Sequence, residues 1–181
     1  NNDNYKKFAW MLFDIKIRDE IISDHDQREL ILDQCFGKDR NDRTVYLYRK
    51  SLPIKELSLI SYIKEKPEIV IGTIRFYRVF ISDIDCLLLG PLAVNKEYQG
   101  KGFGKALIRK GLDLAKKRNE KICFVSGEYN YYKHFEFKKI SSKNLNVIIP
   151  GPLSFNDLLI CELSQGEAYS LQSGSKLLPL N

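Results

Sequence analysis

The alternation of hydrophobic and polar residues is most regular between Leu87 and Ala115. Six of the eight residues in Leu87–Val94 are apolar, and a short run of this composition is typical of a buried strand. From Gly104 onward, small or apolar residues recur at positions that form one face of an amphipathic helix. These residues are Leu107, Ile108, Gly111, Leu114 and Ala115. The pattern therefore predicts a strand, a polar turn and a helix in direct succession.

Further apolar runs predict strands on both sides of this unit. Phe13–Arg18 alternates between apolar and polar residues, which is typical of a first strand. Leu57–Lys64 and Glu68–Ile81 are separated by a very short connection, so we expect an antiparallel hairpin. Lys121–Ser126 follows the predicted helix. The route from strand to helix to strand predicts that it lies parallel to Leu87–Val94.

Two other regions complete the predicted fold. The polar segment Ser23–Asp26 resembles a helix cap, and it predicts a helix that ends before Gly37. Phe137–Ile140 and Asp157–Leu163 are expected to be closing antiparallel strands, joined by a loop that contains Pro150-Gly151-Pro152. The predicted class is α/β (α+β), with a mixed and mostly antiparallel sheet flanked by helices.

Length and composition favour one domain over residues 1–181, with 44% hydrophobic residues available for a core. Residues 1–12 are expected to be a loose N-terminal extension and residues 165–181 a C-terminal tail. The net charge of +6 suits an acidic ligand, but it is spread along the chain, whereas nucleic acid would require a denser basic patch. The aromatic and basic segment Tyr129–Lys133 is a weak indication for the nucleic-acid alternative.

The cysteines indicate neither a metal site nor a disulfide framework. Cys35, Cys86, Cys123 and Cys161 are widely spaced and form no Cys-x-x-Cys pair, so each is interpreted as a small buried hydrophobic residue. This usage favours a reducing, cytoplasmic setting. No apolar run is long enough to span a membrane, and no signal peptide is visible. We therefore expect no metal, no membrane and no nucleic-acid partner.

The turn before the helix has the chemistry of an anion site. The first N–H groups of a helix lack partners within the helix, and the helix dipole adds positive charge there. Glycines let an anion approach this backbone closely, while glutamine and lysine side chains add donors. The predicted cradle for phosphate or pyrophosphate consists of Gln99, Gly100, Lys101, Gly102, Phe103, Gly104 and Lys105. A plain turn with glycines for clearance is the alternative. The run matches neither a dinucleotide fingerprint nor a nucleotide-triphosphate loop.

Pro91 interrupts the central strand. Proline has no N–H group to donate to a neighbouring strand, so we expect a bulge or a divergence of the strands at Gly90-Pro91. Either distortion would leave nearby backbone groups available to a ligand.

These motifs together resemble the GNAT N-acetyltransferase family, in an uncharacterised bacterial-type branch. The family's signature is similar to the run Gln99-Gly100-Lys101-Gly102-Phe103-Gly104, placed between an apolar strand and a helix. The resemblance covers approximately residues 13–165. Its other parts are Leu88-Leu89-Gly90-Pro91-Leu92-Ala93-Val94, Val125-Ser126-Gly127-Glu128, Tyr131-Tyr132-Lys133-His134-Phe135-Glu136-Phe137 and Pro150-Gly151-Pro152.

The resemblance implies a three-layer fold with a splayed parallel pair of strands, and acetyl-CoA as cosubstrate without a metal. It also implies that the pyrophosphate binds at Gln99–Lys105. The pantetheine arm of CoA is expected to pair like a strand with the segment Leu92, Ala93 and Val94. An amine of a small molecule or peptide would be the acetyl acceptor.

Tyr132 is the expected acid that protonates the departing thiolate. The family carries a tyrosine in a Tyr-x-x-x-Gly-Phe pattern on a short helix, and Tyr132 to Phe137 is similar, except that Glu136 replaces the usual glycine. A phenol keeps its proton at pH 7, because its ordinary pKa is about 10. The alternative is an aromatic packing residue, since other aromatic side chains crowd this segment.

The base that deprotonates the amine is less defined by the sequence. Glu128 lies at the end of the predicted strand Lys121–Ser126 and is the candidate, with an exposed loop carboxylate or a water chain as alternatives. His134 is two residues from Tyr132 and is expected to point elsewhere. A relay through Cys86 or Cys123 would require a perturbed thiol, so direct transfer in a ternary complex is preferred.

The acceptor itself is not determined by the sequence. The family builds its acceptor site mainly from regions that correspond to Phe36–Leu52 and Ile140–Phe155, where Arg40, Arg43 and Arg49 would meet an acidic acceptor or simply be solvated. A homodimer is possible. The alternative function is a sensing module that binds CoA or acyl-CoA without turnover.

Overall fold

The computed structural model describes residues 13–42, 48–143, 147, 158–167, 171 and 174–179. Its strands are β1 (Ile15–Asp19), β2 (Leu59–Ile63), β3 (Gly72–Ile81), β4 (Ile84–Val94), β5 (Ile122–Ser126), β6 (Lys138–Lys139), β7 (Leu158–Glu162) and β8 (Leu177–Pro179). Its helices are α1 (His25–Phe36), α2 (Phe103–Lys117) and the short α3 (Tyr129–Tyr132). Pro150-Gly151-Pro152 and residues 1–12 lie outside the described residues.

One mixed sheet organises these elements. Its order is β1-β2-β3-β4-β5-β7-β6, and β8 pairs with β3 beside this path. Every pairing is antiparallel except β4 with β5, which is parallel. The predicted mixed sheet, the hairpin of β2 and β3, and the parallel pair around α2 are confirmed. The predicted closing strands are also present, although β6 has only two residues.

Helix α2 covers one face of the sheet and α1 covers the other. The apolar stripe of α2 packs with β3, β4 and β5 in the largest core cluster, as its sequence pattern predicts. Ile31 and Leu32 of α1 pack with Ile60, Val70 and Ala93 on the opposite side. Helix α1 ends at Phe36, before Gly37, as expected. This arrangement places the carboxyl end of β4 between the two helices, with Ala93 packed on α1 and Val94 on Phe103 of α2.

Strands β4 and β5 separate soon after they meet. Their pairing includes only Leu87 with Cys123 and Leu88 with Phe124, although β4 continues to Val94. The register between β3 and β4 also shifts just past this point, so that Gly90 and Pro91 lie opposite a single residue, Arg75. The predicted bulge at Pro91 and the predicted divergence of the parallel strands are therefore confirmed.

Strand β8 is an element to which the sequence analysis assigned no structure. Leu177 is fully buried in a second core cluster, and the Tyr48 hydroxyl donates a hydrogen bond of 2.7 Å to its carbonyl oxygen. Leu177–Pro179 pairs with the end of β3 at Val79–Ile81. A three-residue strand has too little periodicity to be visible in the sequence, because its order depends on a partner far away in the chain.

Gly111 permits the close packing of α2 on the sheet. A Cβ atom at this position would lie 2.6 Å from Cε2 of Phe76, whose side chain is fully buried. Gly111→Val should therefore destabilise the protein by about 1–3 kcal/mol, the usual cost of overpacking. The intrinsic helix propensity of valine is slightly better than that of glycine, so the loss would report packing alone. Urea denaturation would measure the shift in midpoint.

Lys110→Val is the matched control for this prediction. It introduces the same side chain one residue earlier, at an exposed position of α2. Equal stability of the two variants would show that Phe76 and its neighbours accommodate the added atoms, contrary to our expectation.

Candidate functional site

The gap between β4 and β5 is lined by backbone groups of β4. The N–H group of Asn95 donates to the carbonyl oxygen of Ile71, on the far side of β4 from β5. Backbone groups of neighbouring residues point to alternate sides of a strand. Those of Leu92 and Val94 therefore point away from β3, into the gap. This is the orientation that a ligand pairing like a strand would require.

The glycine turn lies at the start of α2, next to the end of β4. Gly100 and Gly102 have left-handed φ angles of +76° and +91°, and no atom lies within 4 Å of a Cβ placed on either residue. Gly102 is the N-cap of α2 and offers no side chain to the first N–H groups of the helix. The turn is therefore open toward these donors, as an anion cradle requires.

The Gln99 side chain connects this turn to β4. Its amide Nε2 donates to the Val94 carbonyl oxygen at 3.1 Å, and the Cys35 thiol donates to the same oxygen at 3.3 Å. The sequence predicts that the Gln99 amide contacts an anion and that Cys35 is buried. In the structure the amide holds the end of β4, and Cys35 is only partly buried, unlike the other three cysteines.

Two other residues of the turn are directed toward an aromatic cluster. Phe103 is buried and packs on Phe13 and Tyr98, with ring centroids 6.2 Å and 5.8 Å away. The Lys101 ammonium lies 5.5 Å from the Phe13 ring and 5.8 Å from the Tyr98 ring. The side chain of Phe103 therefore anchors the turn and is not available to an anion. The Lys105 side chain is exposed.

The Tyr131 hydroxyl lies beside the candidate site, a position that the sequence does not predict. A Cβ atom on Gly104 would lie 3.2 Å from the Tyr131 hydroxyl oxygen and 3.4 Å from Cγ2 of Val94. This hydroxyl therefore lies beside Gly104 in the first turn of α2, and the Val94 side chain at the end of β4 lies close to the same glycine. Its sequence neighbours indicate only another aromatic residue on a short helix. The tertiary contact with Gly104 brings it into the site.

Tyr132 combines a packed ring with a position beside the gap. Its ring makes edge contacts with Tyr131 and Phe137, at centroid distances of 5.1 Å and 5.5 Å. A Cβ atom on Gly127 would lie 2.5 Å from Cε2 of this ring, so Gly127 makes room for it. The Tyr132 ring therefore packs against its neighbours, and this packing fixes the direction of its phenol.

Burial keeps the phenol of Tyr132 and the nearby thiols protonated. Burial raises the pKa of Tyr132 above its ordinary value, and the positive charge of Arg49 opposes this effect. Burial also raises the pKa of Cys86 to about 12 and that of Cys123 well above its ordinary value. At neutral pH the tyrosine can donate a proton, whereas these two cysteines are poor nucleophiles.

Glu128 and its neighbours set the geometry of α3. Glu128 is the N-cap of α3, and its carbonyl oxygen accepts hydrogen bonds from the N–H groups of Tyr131 and Tyr132 at 3.2 Å and 3.1 Å. Its carboxylate is exposed, and so is His134. Glu136, which replaces the glycine of the family pattern, adopts a left-handed φ of +66°. The turn after α3 therefore keeps a conformation that favours glycine.

The arginines expected near an acceptor differ in their surroundings. Arg40 is buried and forms ion pairs with Glu29 and Asp33 of α1, so it stabilises this side of the fold. Arg43 lies outside the described residues. Arg49 lies against the bulge of β4, beside the gap. Of the two expected arginines that the structure describes, Arg40 and Arg49, only Arg49 therefore lies at the strand ends.

No group of three or more histidine, cysteine, aspartate or glutamate side chains in the described part of the chain is arranged to hold a metal ion. Among the described helices, none is long and apolar enough to cross a membrane.

The chain has clear relatives. The acetyltransferase (GNAT) family model matches residues 26–137. The uncharacterized N-acetyltransferase YhbS of Escherichia coli K12 is 27% identical over 137 residues, which cover 75% of this chain and 80% of that protein. The uncharacterized N-acetyltransferase YjhQ of the same strain is 37% identical over 86 residues, covering 45% of this chain and less than half (46%) of that protein.

Solved structures have the same fold. A crystal structure of E. coli YhbS in complex with CoA superposes with a TM-score of 0.75 at 22% identity, covering 91% of this chain and 89% of that one. A GNAT family acetyltransferase from Brucella melitensis in complex with acetyl-CoA gives 0.65 at 20% identity, covering 92% and 96%. Because the family model extends over more than half of its length, the chain belongs to the GNAT acetyltransferase family.

Proposed function

We propose that this protein transfers the acetyl group of acetyl-CoA to a primary amine of a small molecule or peptide, directly and within a ternary complex. The observation that carries the proposal is the early separation of β4 from β5, with the glycine turn at one end of the gap and Tyr132 beside it. The CoA and acetyl-CoA complexes of the two structural neighbours support the same cosubstrate.

CoA would lie along the gap. Its pyrophosphate would accept hydrogen bonds from the N–H groups of the glycine turn, Gln99–Lys105, where the helix dipole favours an anion. The pantetheine arm would pair with the backbone of Leu92 and with the N–H group of Val94, whose carbonyl oxygen already accepts hydrogen bonds from Gln99 and Cys35. The Tyr131 hydroxyl, which lies beside Gly104, would contact the bound cosubstrate. The thioester would then lie near Gly90 and Tyr132.

The acetyl transfer would use residues on the β5 side of the gap. The amine attacks the thioester carbonyl carbon, a C–N bond forms, and the C–S bond breaks as the tetrahedral intermediate collapses. Tyr132 donates its phenolic proton to the departing thiolate and is reprotonated from solvent. The proton lost by the amine would pass to Glu128 through water, since the Glu128 carboxylate is exposed and its backbone lies one helical turn from Tyr132.

A panel of amines would test the proposed function. We expect that calorimetry detects binding of acetyl-CoA and that at least one small amine or peptide N-terminus causes release of free CoA thiol. Mass spectrometry should find the acceptor heavier by one acetyl group. Tight binding of acetyl-CoA without thiol release across a broad panel would contradict turnover, and would support the sensing-module function.

A further inference from the structure

We propose that Arg49 binds a carboxylate of the acceptor and so selects amines that carry a carboxylate. This inference rests on the proposed function, because it concerns the second substrate of the same site. The carboxylate would contact the guanidinium at the bulge of β4, and the amine would reach the thioester beside Tyr132.

The residue before Arg49 fixes its backbone. Tyr48 is 2% exposed in the core cluster that includes Val79 and Leu88, and its hydroxyl donates to the Leu177 carbonyl oxygen at 2.7 Å. Because this tyrosine is held both by packing and by a hydrogen bond, the start of the Arg49 side chain has a defined position. A residue that recognises a substrate requires such support.

The Arg49 guanidinium lies against the part of β4 that β5 leaves unpaired. A Cβ atom on Gly90 would contact Nη2 of Arg49 and would lie 3.4 Å from its Cζ. Gly90 comes two residues after Leu88, the last residue of β4 that pairs with β5. The guanidinium therefore occupies space beside the gap that a side chain at position 90 would fill.

The guanidinium is also near the predicted acid. The charge of Arg49 acts on the Tyr132 phenol and partly opposes the rise in its pKa that burial causes. Arg49 and Tyr132 come from distant parts of the chain, so the fold alone brings them together. An acceptor that binds Arg49 through a carboxylate would extend its amine toward Tyr132.

Three other arginines in the described part of the chain, Arg28, Arg40 and Arg75, form ion pairs on this side of the sheet. Arg75 lies opposite the bulge, and its guanidinium contacts both carboxylate oxygens of Glu20, which also pairs with Arg28 at 3.0 Å. Arg40 pairs with residues of α1. These ion pairs stabilise the fold. The bulge of β4 places the Arg49 guanidinium beside the gap, and the planar fork of a guanidinium matches a carboxylate in two hydrogen bonds.

Matched acceptors would test the inference. The probes are ω-amino acids of increasing length, from glycine upward, and the carboxamide of each. With wild-type protein, kcat/KM for the best carboxylate should exceed that for its carboxamide by on the order of 10- to 100-fold, the usual effect of a charge-assisted hydrogen bond. Arg49→Gln should remove this preference by raising KM for the carboxylate far more than KM for the carboxamide. Arg49→Lys should retain part of it.

Lys50→Gln is the control, because it removes a neighbouring positive charge at an exposed position. Equal use of carboxylates and carboxamides by the wild type would overturn the inference. An equal loss of kcat with carboxylates and with carboxamides in the Arg49→Gln variant would also overturn the inference, because that result would indicate a role in the chemical step.

A binding experiment separates this inference from the proposed function. The same probes are titrated calorimetrically into protein saturated with CoA. If no acceptor releases thiol, the proposed function fails. A carboxylate preference that disappears in Arg49→Gln would still support Arg49 as the binding residue. Absence of that preference in the titrations would overturn the inference whether or not turnover occurs.

Discussion

Replacing Tyr132 by phenylalanine should lower kcat by on the order of 10²- to 10⁴-fold, the usual contribution of a positioned acid. The ring of Tyr132 packs on Phe137 and Tyr131, and phenylalanine preserves these contacts. CoA affinity should therefore remain nearly unchanged, because only the hydroxyl is lost. Release of free thiol with the best amine of the panel would measure kcat, and calorimetry would measure CoA affinity.

The pH profile provides a second measurement of the same prediction. Burial raises the pKa of Tyr132 above its ordinary value of about 10, so the phenol keeps its proton throughout the neutral and mildly alkaline range. Wild-type activity should therefore show no decline from this group below pH of about 10. Any decline at higher pH that belongs to Tyr132 should be absent from the phenylalanine variant.

Tyr129→Phe is the control. It removes the same hydroxyl group from an exposed tyrosine of the same helix, α3. This variant should behave like the wild type. Full turnover by Tyr132→Phe on a good acceptor would show that Tyr132 only packs, and that another group or water protonates the thiolate.

Replacing Gly102 by glutamate should weaken CoA binding by on the order of 100-fold or more, because juxtaposed like charges cost several kcal/mol. Gly102 is the N-cap of α2, and the space around its Cα is open in the structure. A glutamate there places a negative charge where the pyrophosphate is expected. Calorimetric titration with CoA would measure the change in Kd.

Gly102→Ala separates the charge from the backbone. The backbone at position 102 has a φ of +91°, a conformation that is strained for any residue with a side chain. Alanine introduces this strain without the carboxylate. Lys105→Gln removes one positive charge from the exposed face of the same turn without such strain. We expect both to bind CoA more tightly than Gly102→Glu. Identical affinity for CoA in wild type and Gly102→Glu would place the pyrophosphate elsewhere.

The order and type of the central elements follow from the sequence because each has a local signal. The apolar run of β4, the glycines of the turn and the stripe of α2 are contiguous in the chain, and they predict one strand–helix–strand unit with parallel strands. Pro91 predicts the bulge for an equally local reason, since it cannot donate a backbone hydrogen bond.

The details of the candidate site depend on contacts between residues that are far apart in the sequence. Gln99 and Cys35 meet at the Val94 carbonyl oxygen, the Tyr131 hydroxyl reaches Gly104, and Arg49 lies against Gly90. None of these pairs follows a helical or strand period, so no pattern along the chain indicates them.

The sequence by itself determined the strand–helix–strand unit, the bulge and the glycine turn, because period and turn chemistry act over a few neighbouring residues. The tertiary structure alone decided which side chains surround the gap and which short segments are ordered. Strand β8 is ordered by its pairing with β3, and the Tyr132 ring is placed by the space that Gly127 leaves. Such choices depend on packing between distant segments, which only the folded chain brings into contact.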